Sequence, residues 1–175
     1  TICVAVGRHT EYKGFTYLVQ ASKLLENNFH IYITGKGELT EKLHEEARGD
    51  SKITFTGRIE DTEPKALLLA CDIFCFPSIT KNEAFGLALA EGMYYEKPAV
   101  TFTIPGSGVN YVSLNGVTGI KVENRNVEKY ADAMRTLAQN ENLRLKYGKA
   151  GKKRVESNFL STQFRENIRL MIMHM

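Results

Sequence analysis

The residues able to do chemistry fall in five short stretches. Arg8 and Lys13 stand in the glycine-bounded stretch Gly7-Arg8-His9-Thr10-Glu11-Tyr12-Lys13-Gly14. Arginine offers a planar fork for phosphate oxygens and lysine a point charge. The pair suits an anion, and it equally suits a solvated loop. Gly35-Lys36-Gly37-Glu38 opens a helical pattern. Its glycines would let a ligand approach the backbone, and a helix start offers free N–H groups. An ordinary tight turn reads the same way. In Gly57-Arg58-Ile59 a backbone edge could hydrogen-bond a nucleobase. Pro77 to Gly92 carries Glu83 in a loop, Phe85-Gly86-Leu87 at a helix start and Glu91 about two turns further on. A carboxylate beside a helix N-terminus suits sugar hydroxyls, though acids are common in first turns for structural reasons alone. Gly106-Ser107-Gly108 offers close backbone contact to phosphate, or is simply a structural loop.

Each stretch follows a short apolar run, which says what must position it. Strands are predicted at Ile2–Val6, His30–Thr34, Ile53–Thr56, Ile73–Phe76, Pro98–Phe102 and Gly119–Val122. Helices are predicted at Phe15–Leu25, Glu38–Arg48, Pro64–Ala70, Leu87–Tyr95, Val127–Gln139, Asn142–Glu156 and Ser161–Met173. Short strands alternating with helices argue for an α/β, Rossmann-like doubly wound sheet that is mostly parallel and six-stranded. Strands apolar throughout fit a sheet covered on both faces. Ligands of such sheets lie beyond the carboxyl ends of the strands, where all five stretches fall. Two cations, several glycine amides and a hydroxyl-accepting carboxylate at one edge match a diphosphate joined to polyhydroxylated groups.

Composition narrows the class. The chain has 175 residues, 43% hydrophobic and 25% charged, enough for one domain with a real core. A net charge of +3 is mild and argues against a nucleic-acid partner. No run of about 18 apolar residues is present, so no membrane-spanning helix is predicted. Arg144, Lys146, Lys149, Lys152, Lys153 and Arg154 cluster on one helix. They read as a solvated face or as a patch for anionic lipid headgroups. Cys3, Cys71 and Cys75 have no paired spacing and read as small hydrophobes in a reducing compartment. Scattered histidines (His9, His30, His44, His174) give no metal site.

The order of motifs resembles the retaining glycosyltransferases of family 4, also called group 1. It runs Gly7-Arg8 to Lys13-Gly14, Gly35-x-Gly37, Phe55-x-Gly57, Cys71-Asp72-Ile73-Phe74 with Pro77-Ser78, Glu83-x-Phe85-Gly86-Leu87 with Glu91, Lys97-Pro98-Ala99-Val100 and Gly116-Val117-Thr118-Gly119. A basic helix before Phe159 continues it. The resemblance implies the C-terminal, donor-binding half of the GT-B fold over residues 1–175, with 155–175 a helical segment packing toward an absent N-terminal acceptor-binding half. It implies that Arg8 and Lys13 grip the nucleoside diphosphate, Glu83 the donor-sugar hydroxyls and Glu91 the ribose. Backbone near Arg58 and Ile59 would hold the base. Amides at Phe85, Gly86 and Leu87, and at Gly106 to Gly108, would touch phosphate or sugar. Gly7, Gly35 and Gly37 join this donor-binding set.

The implied substrate is a UDP-, GDP- or ADP-sugar and the implied acceptor a glycan or lipid-linked glycan, with no cofactor and no metal. The implied place is the cytoplasm, with peripheral contact to the inner face of the membrane by the full enzyme. The loop at Gly106 lacks the Glu that many family members carry. The start at Thr1 reads as a domain boundary, and the fragment alone is expected to be inactive. Two other readings stand beside this one: a nucleotide-sugar binding module that works with a separate chain, and a GT-B nucleotide-sugar epimerase.

Overall fold

Runs that are apolar at every position become the middle of the sheet. The computed structural model describes residues 1–58 and 63–160. Its strands are β1 (Ile2–Val6), β2 (His30–Thr34), β3 (Ile53–Gly57), β4 (Ile73–Phe76), β5 (Ala99–Phe102) and β6 (Gly119–Val122). All pair in parallel, in the order β3-β2-β1-β4-β5-β6. Every residue of β4 and β5 is buried, as a central parallel strand with both faces covered requires. The helices are α1 (Phe15–Ser22), α2 (Thr40–Glu46), α3 (Glu63–Ala70), α4 (Leu87–Tyr94), α5 (Val109–Val112), α6 (Val127–Gln139) and α7 (Glu141–Asn158). The expected doubly wound, six-stranded parallel sheet is therefore the observed one.

Helix packing follows the apolar stripes. Tyr130, Ala131, Met134 and Leu137 recur at helical spacing along α6 and are buried, and α6 packs on α1 and on β4 to β6. On α7 the buried stripe is Tyr147, Gly148, Gly151 and Val155, and it packs on α4. Asn126 and Asn140 cap α6 and α7: their side chains accept from the N–H groups of Lys129 and Leu143, at 2.9 Å each. Tyr130 donates its phenol to the Val100 carbonyl at 2.9 Å, joining α6 to β5 inside the core.

Several boundaries move, each for a local reason. The helix expected to reach Leu25 stops at Ser22, because Lys23, Leu24 and Leu25 donate to carbonyls three residues back and tighten into a turn. The helix expected from Glu38 begins at Thr40, whose hydroxyl donates to the Gly37 carbonyl at 2.8 Å. Pro98 stands outside β5 but still accepts from the Phe74 N–H. The helix expected at Asn142–Glu156 extends to Glu141–Asn158. The short helix α5 and a 3-10 turn at Glu11–Lys13 have no counterpart in the expected elements. The expected last helix, Ser161–Met173, lies outside the described residues.

Candidate functional site

Strand order reverses between β1 and β4, so the loops leaving those two strands diverge and open a crevice. After β1 the chain makes its 3-10 turn and reaches Gly14 at φ 66. A Cβ there would stand 2.1 Å from the Pro77 carbonyl, so a side-chain-free residue is what brings this turn against the loop after β4. The Ile79 N–H donates to the Tyr12 carbonyl at 2.9 Å and joins the same two loops. Between them Lys13 Nζ lies 2.5 Å from Glu83 Oε2. Ser78 Oγ donates to that same oxygen at 3.0 Å. Glu83 Oε1 accepts from no group among the described residues, so one carboxylate oxygen is left for a ligand.

The Lys13 and Glu83 side chains are only 14% and 10% exposed. This is a shielded pair, whose attraction water screens less than that of solvated surface pairs. The Lys13 ammonium also stands 5.4 Å from the centroids of the Tyr12 and Phe76 rings, which favours a cation. Its methylene stem runs past Gly7, so its charge serves both sides of the crevice.

Beside this pair, Val6, Gly7, Arg8, Thr34, Gly35, Lys36 and Arg58 line a cavity of about 460 Å³. Among the described residues, three cations and no carboxylate line it. The Gly7 N–H donates to the Thr34 carbonyl at 3.2 Å, and the Gly35 N–H to the Gly57 carbonyl at 2.7 Å. The three strand ends are thus held in step just below the cations. Lys36 is a member that the sequence did not single out. Its one signal was its place between two glycines after a strand. Ile59 lies outside the described residues.

The loop after β5 supports Glu83 from behind. Ser107 Oγ donates to the Glu83 carbonyl at 2.5 Å, and the Gly108 N–H to the Ala84 carbonyl at 2.9 Å. Ser107 is buried, so its hydroxyl holds the Glu83 backbone, while Gly106 stands in open space. Gly86, at φ 89, is the residue before α4 and starts the helix beside Phe85. Leu87 and Glu91 face a different cavity of about 490 Å³, shared with Phe85, Tyr94, Val155 and Phe159. The structure thus gathers Gly7, Arg8, Lys13, Gly35, Arg58 and Glu83 around one crevice, and sets Glu91 on an apolar groove next to it.

Among the described residues, three of the six clustered cations on α7 have partners. Arg144 donates to the Leu137 and Ala138 carbonyls, Arg154 to those of Tyr111 and Val112, and Lys152 pairs with Glu96 at 3.0 Å. Lys146, Lys149 and Lys153 are exposed. The cysteine thiols are inert cores. Burial pushes Cys71 up to about 12, and a hydrogen bond with Cys75 together with burial holds Cys3 well above its ordinary value. Among the described residues no three His, Cys, Asp or Glu side chains gather as a metal site would need.

A doubly wound sheet whose switch-point loops carry cations, glycines and a shielded carboxylate defines a Rossmann-like domain with a cation-lined crevice. The family model for glycosyl transferases group 1 matches residues 1–154, and the chain belongs to that family. It is 31% identical over 156 residues to the O-antigen chain mannosyltransferase C of Escherichia coli, covering 88% of this chain and 41% of the relative. It is 35% identical over 134 residues to the D-rhamnosyltransferase WbpZ of Pseudomonas aeruginosa, covering 75% and 34%. Among solved structures it resembles a glycosyltransferase from Rickettsia africae, with a TM-score of 0.81 at 27% identity, covering 97% of this chain and 46% of that one. The fold also matches Anabaena Alr3699/HepE in complex with UDP, with a TM-score of 0.88 at 17% identity, covering 99% and 49%. The chain spans less than half the length of these curated relatives. Both relatives carry glycosyltransferase names, and so does the Rickettsia africae structure.

Proposed function

We propose that this chain is the donor-binding half of a retaining, family 4 glycosyltransferase of the GT-B type, and that its crevice takes a nucleoside-diphosphate sugar. The observation that carries the reading is the contact of Lys13 with Glu83 across the switch point. One crevice then offers a cation for a phosphate and, 2.5 Å away, a carboxylate for hydroxyls. A nucleotide sugar presents those two chemistries side by side.

In this reading Arg8 and Lys13 hold the diphosphate, and the N–H groups at the start of α4 add to them. Glu83 Oε1 accepts from sugar hydroxyls, and Ser78 and Lys13 fix its orientation. The backbone at Arg58 and Ile59 holds the base. Glu91 reaches the ribose, and the Gly106 amide completes the donor set, the Gly108 amide being spent on the Ala84 carbonyl. As the bond from the anomeric carbon to the β-phosphate oxygen breaks, negative charge grows on the leaving diphosphate. Arg8 and Lys13 stabilise that charge without a metal, and one such donor is worth about 3 kcal/mol in the transition state. The sugar becomes oxocarbenium-like and is attacked by an acceptor hydroxyl on the face the diphosphate left, the hydroxyl proton passing to the departing phosphate oxygen. The acceptor, a glycan or lipid-linked glycan, binds a facing half of the enzyme. In the cell we place the enzyme in the cytoplasm, at the membrane's inner face, with the exposed Lys146, Lys149 and Lys153 meeting anionic headgroups.

Calorimetric titration with UDP, GDP, ADP and their sugars tests the reading. At least one should bind. Arg8→Ala and Lys13→Ala should each weaken binding roughly ten- to a hundred-fold, the worth of a hydrogen bond to a charged group. No binding by any of these ligands at millimolar concentration would sink it.

A further inference from the structure

Arg8 and His9 are neighbours that point in opposite directions. Arg8 is exposed at the cavity, while His9 is 1% exposed and packs edge-on against Phe15 at 5.3 Å and Phe55 at 6.2 Å. The direction of one therefore fixes the direction of the other. His9 Nδ1 meets Thr40 Oγ1 at 3.0 Å. That hydroxyl also accepts from the Gly37 N–H at 2.9 Å and donates to the Gly37 carbonyl at 2.8 Å. Two backbone bonds run alongside, from the His9 N–H to the Lys36 carbonyl at 3.2 Å and from the Leu39 N–H to the His9 carbonyl at 3.0 Å. The loops are so close that a Cβ on Gly37 would lie 2.4 Å from the His9 carbonyl oxygen. One ring and one hydroxyl thus join the loop after β1 to the loop after β2.

Packing alone does not account for a histidine here. Nε2 is buried with no hydrogen-bond partner among the described residues, and a leucine would fill the space without leaving a nitrogen unpaired. What the imidazole adds is the Nδ1 contact. Burial holds the ring below its ordinary pKa, with His44 adding to the effect, so His9 is neutral at pH 7. The Thr34 backbone pulls the other way.

We propose that His9 and Thr40 are positioning residues for the anion crevice, their ring–hydroxyl junction setting where Arg8 stands against the backbone of Gly35 to Gly37. The assignment rests on the donor-site reading above. A loop pair free to part by a fraction of an ångström would present the same groups to a diphosphate in poorer geometry.

The test is a double-mutant cycle with calorimetry, using inorganic pyrophosphate and whichever of UDP, GDP and ADP wild type binds best. It is run at a temperature where circular dichroism shows every variant folded. Thr40→Val keeps the shape and removes the hydroxyl, and should weaken both ligands about tenfold, or 1.4 kcal/mol. Thr40→Ser keeps the hydroxyl and should stay within about twofold of wild type. His9→Leu should lose as much as Thr40→Val, and the double variant no more than either, since both remove one junction. Thr40→Val binding as tightly as Thr40→Ser overturns the proposal while leaving the donor site intact, and so do additive losses in the double variant. Wild type binding none of the nucleotides overturns both readings. If His9→Leu does not fold, the Val and Ser variants at Thr40 decide alone.

Discussion

Glu83 commits Oε2 to Lys13 and Ser78 and keeps Oε1 for another partner. In the donor-site reading this makes its charge work in two directions. It draws sugar hydroxyls, and it competes with the diphosphate for the Lys13 ammonium. Glu83→Gln keeps the shape and removes the charge. We expect it to tighten a bare nucleoside diphosphate several-fold, up to about tenfold, and to erase any advantage of the nucleotide sugar over it. Titration of both ligands against the variant checks this, and a variant that binds the bare diphosphate more weakly would mean that Glu83 serves the phosphate by holding Lys13 in place rather than by competing for it. Arg8, Lys13 and Glu83 could be named from sequence because each lies in a loop that follows an apolar strand and had a chemistry to match. Ser78 and Lys36 were not. Ser78 matters only because a turn at Gly14 brings Lys13 across to the same carboxylate, and Lys36 only because three strand ends align. His9 looked like one of four scattered histidines until the fold set it beside Thr40.

At the scale of elements, the caps and the apolar periods carried the information. Asn140 closes the start of α7 with its side chain, and its carbonyl accepts from the Arg144 N–H at 3.0 Å. Asn140→Ala should cost about 1 kcal/mol and lower the melting temperature by about 2–4 °C, read by calorimetry, with donor binding unchanged. A drop no larger than the scatter between repeat scans would mean that packing on α4 alone sets the helix start. The strands and long helices could be read because β4 and β5 are apolar throughout and α6 keeps a regular buried stripe. The four residues of α5 and the three of the Glu11–Lys13 turn could not, since neither spans enough turns to show a period. The helix α5 forms because the loop around it is pinned: Asn110 donates to the Ile104 carbonyl at 2.5 Å, and Arg154 sits over the Tyr111 ring at 5.0 Å.

For the whole molecule, strand-helix alternation was enough to give the class of sheet, and right-handed crossovers leave few strand orders to choose among. It did not reveal which helices would meet. The packing of α6 on α1 and of α7 on α4 brings together segments more than 100 and about 50 residues apart, respectively, and no local pattern reports that. In the two-sided reading of the enzyme, the chain on its own should bind a nucleotide sugar and transfer nothing. Incubation with nucleotide sugar and a glycan acceptor, followed by assay for released nucleoside diphosphate, tests that. Robust turnover would mean that the acceptor groups lie within these residues after all.

The two ends of the sheet are built for different tasks. At the end opposite the crevice, Asp72 accepts from the Ile2 N–H at 2.8 Å, and Lys97 donates to the Leu69 and Cys71 carbonyls at 2.9 and 2.8 Å. Those side chains are occupied in closing the fold, and they leave the ligand end to its loops. Divergence can therefore run at two speeds in one small domain. The closed end must hold its pairs, while Gly106 and its neighbours at the open end can drift toward a new sugar without unsettling the sheet. For a laboratory the same division is a map: label or tether the closed end, and randomise the open one.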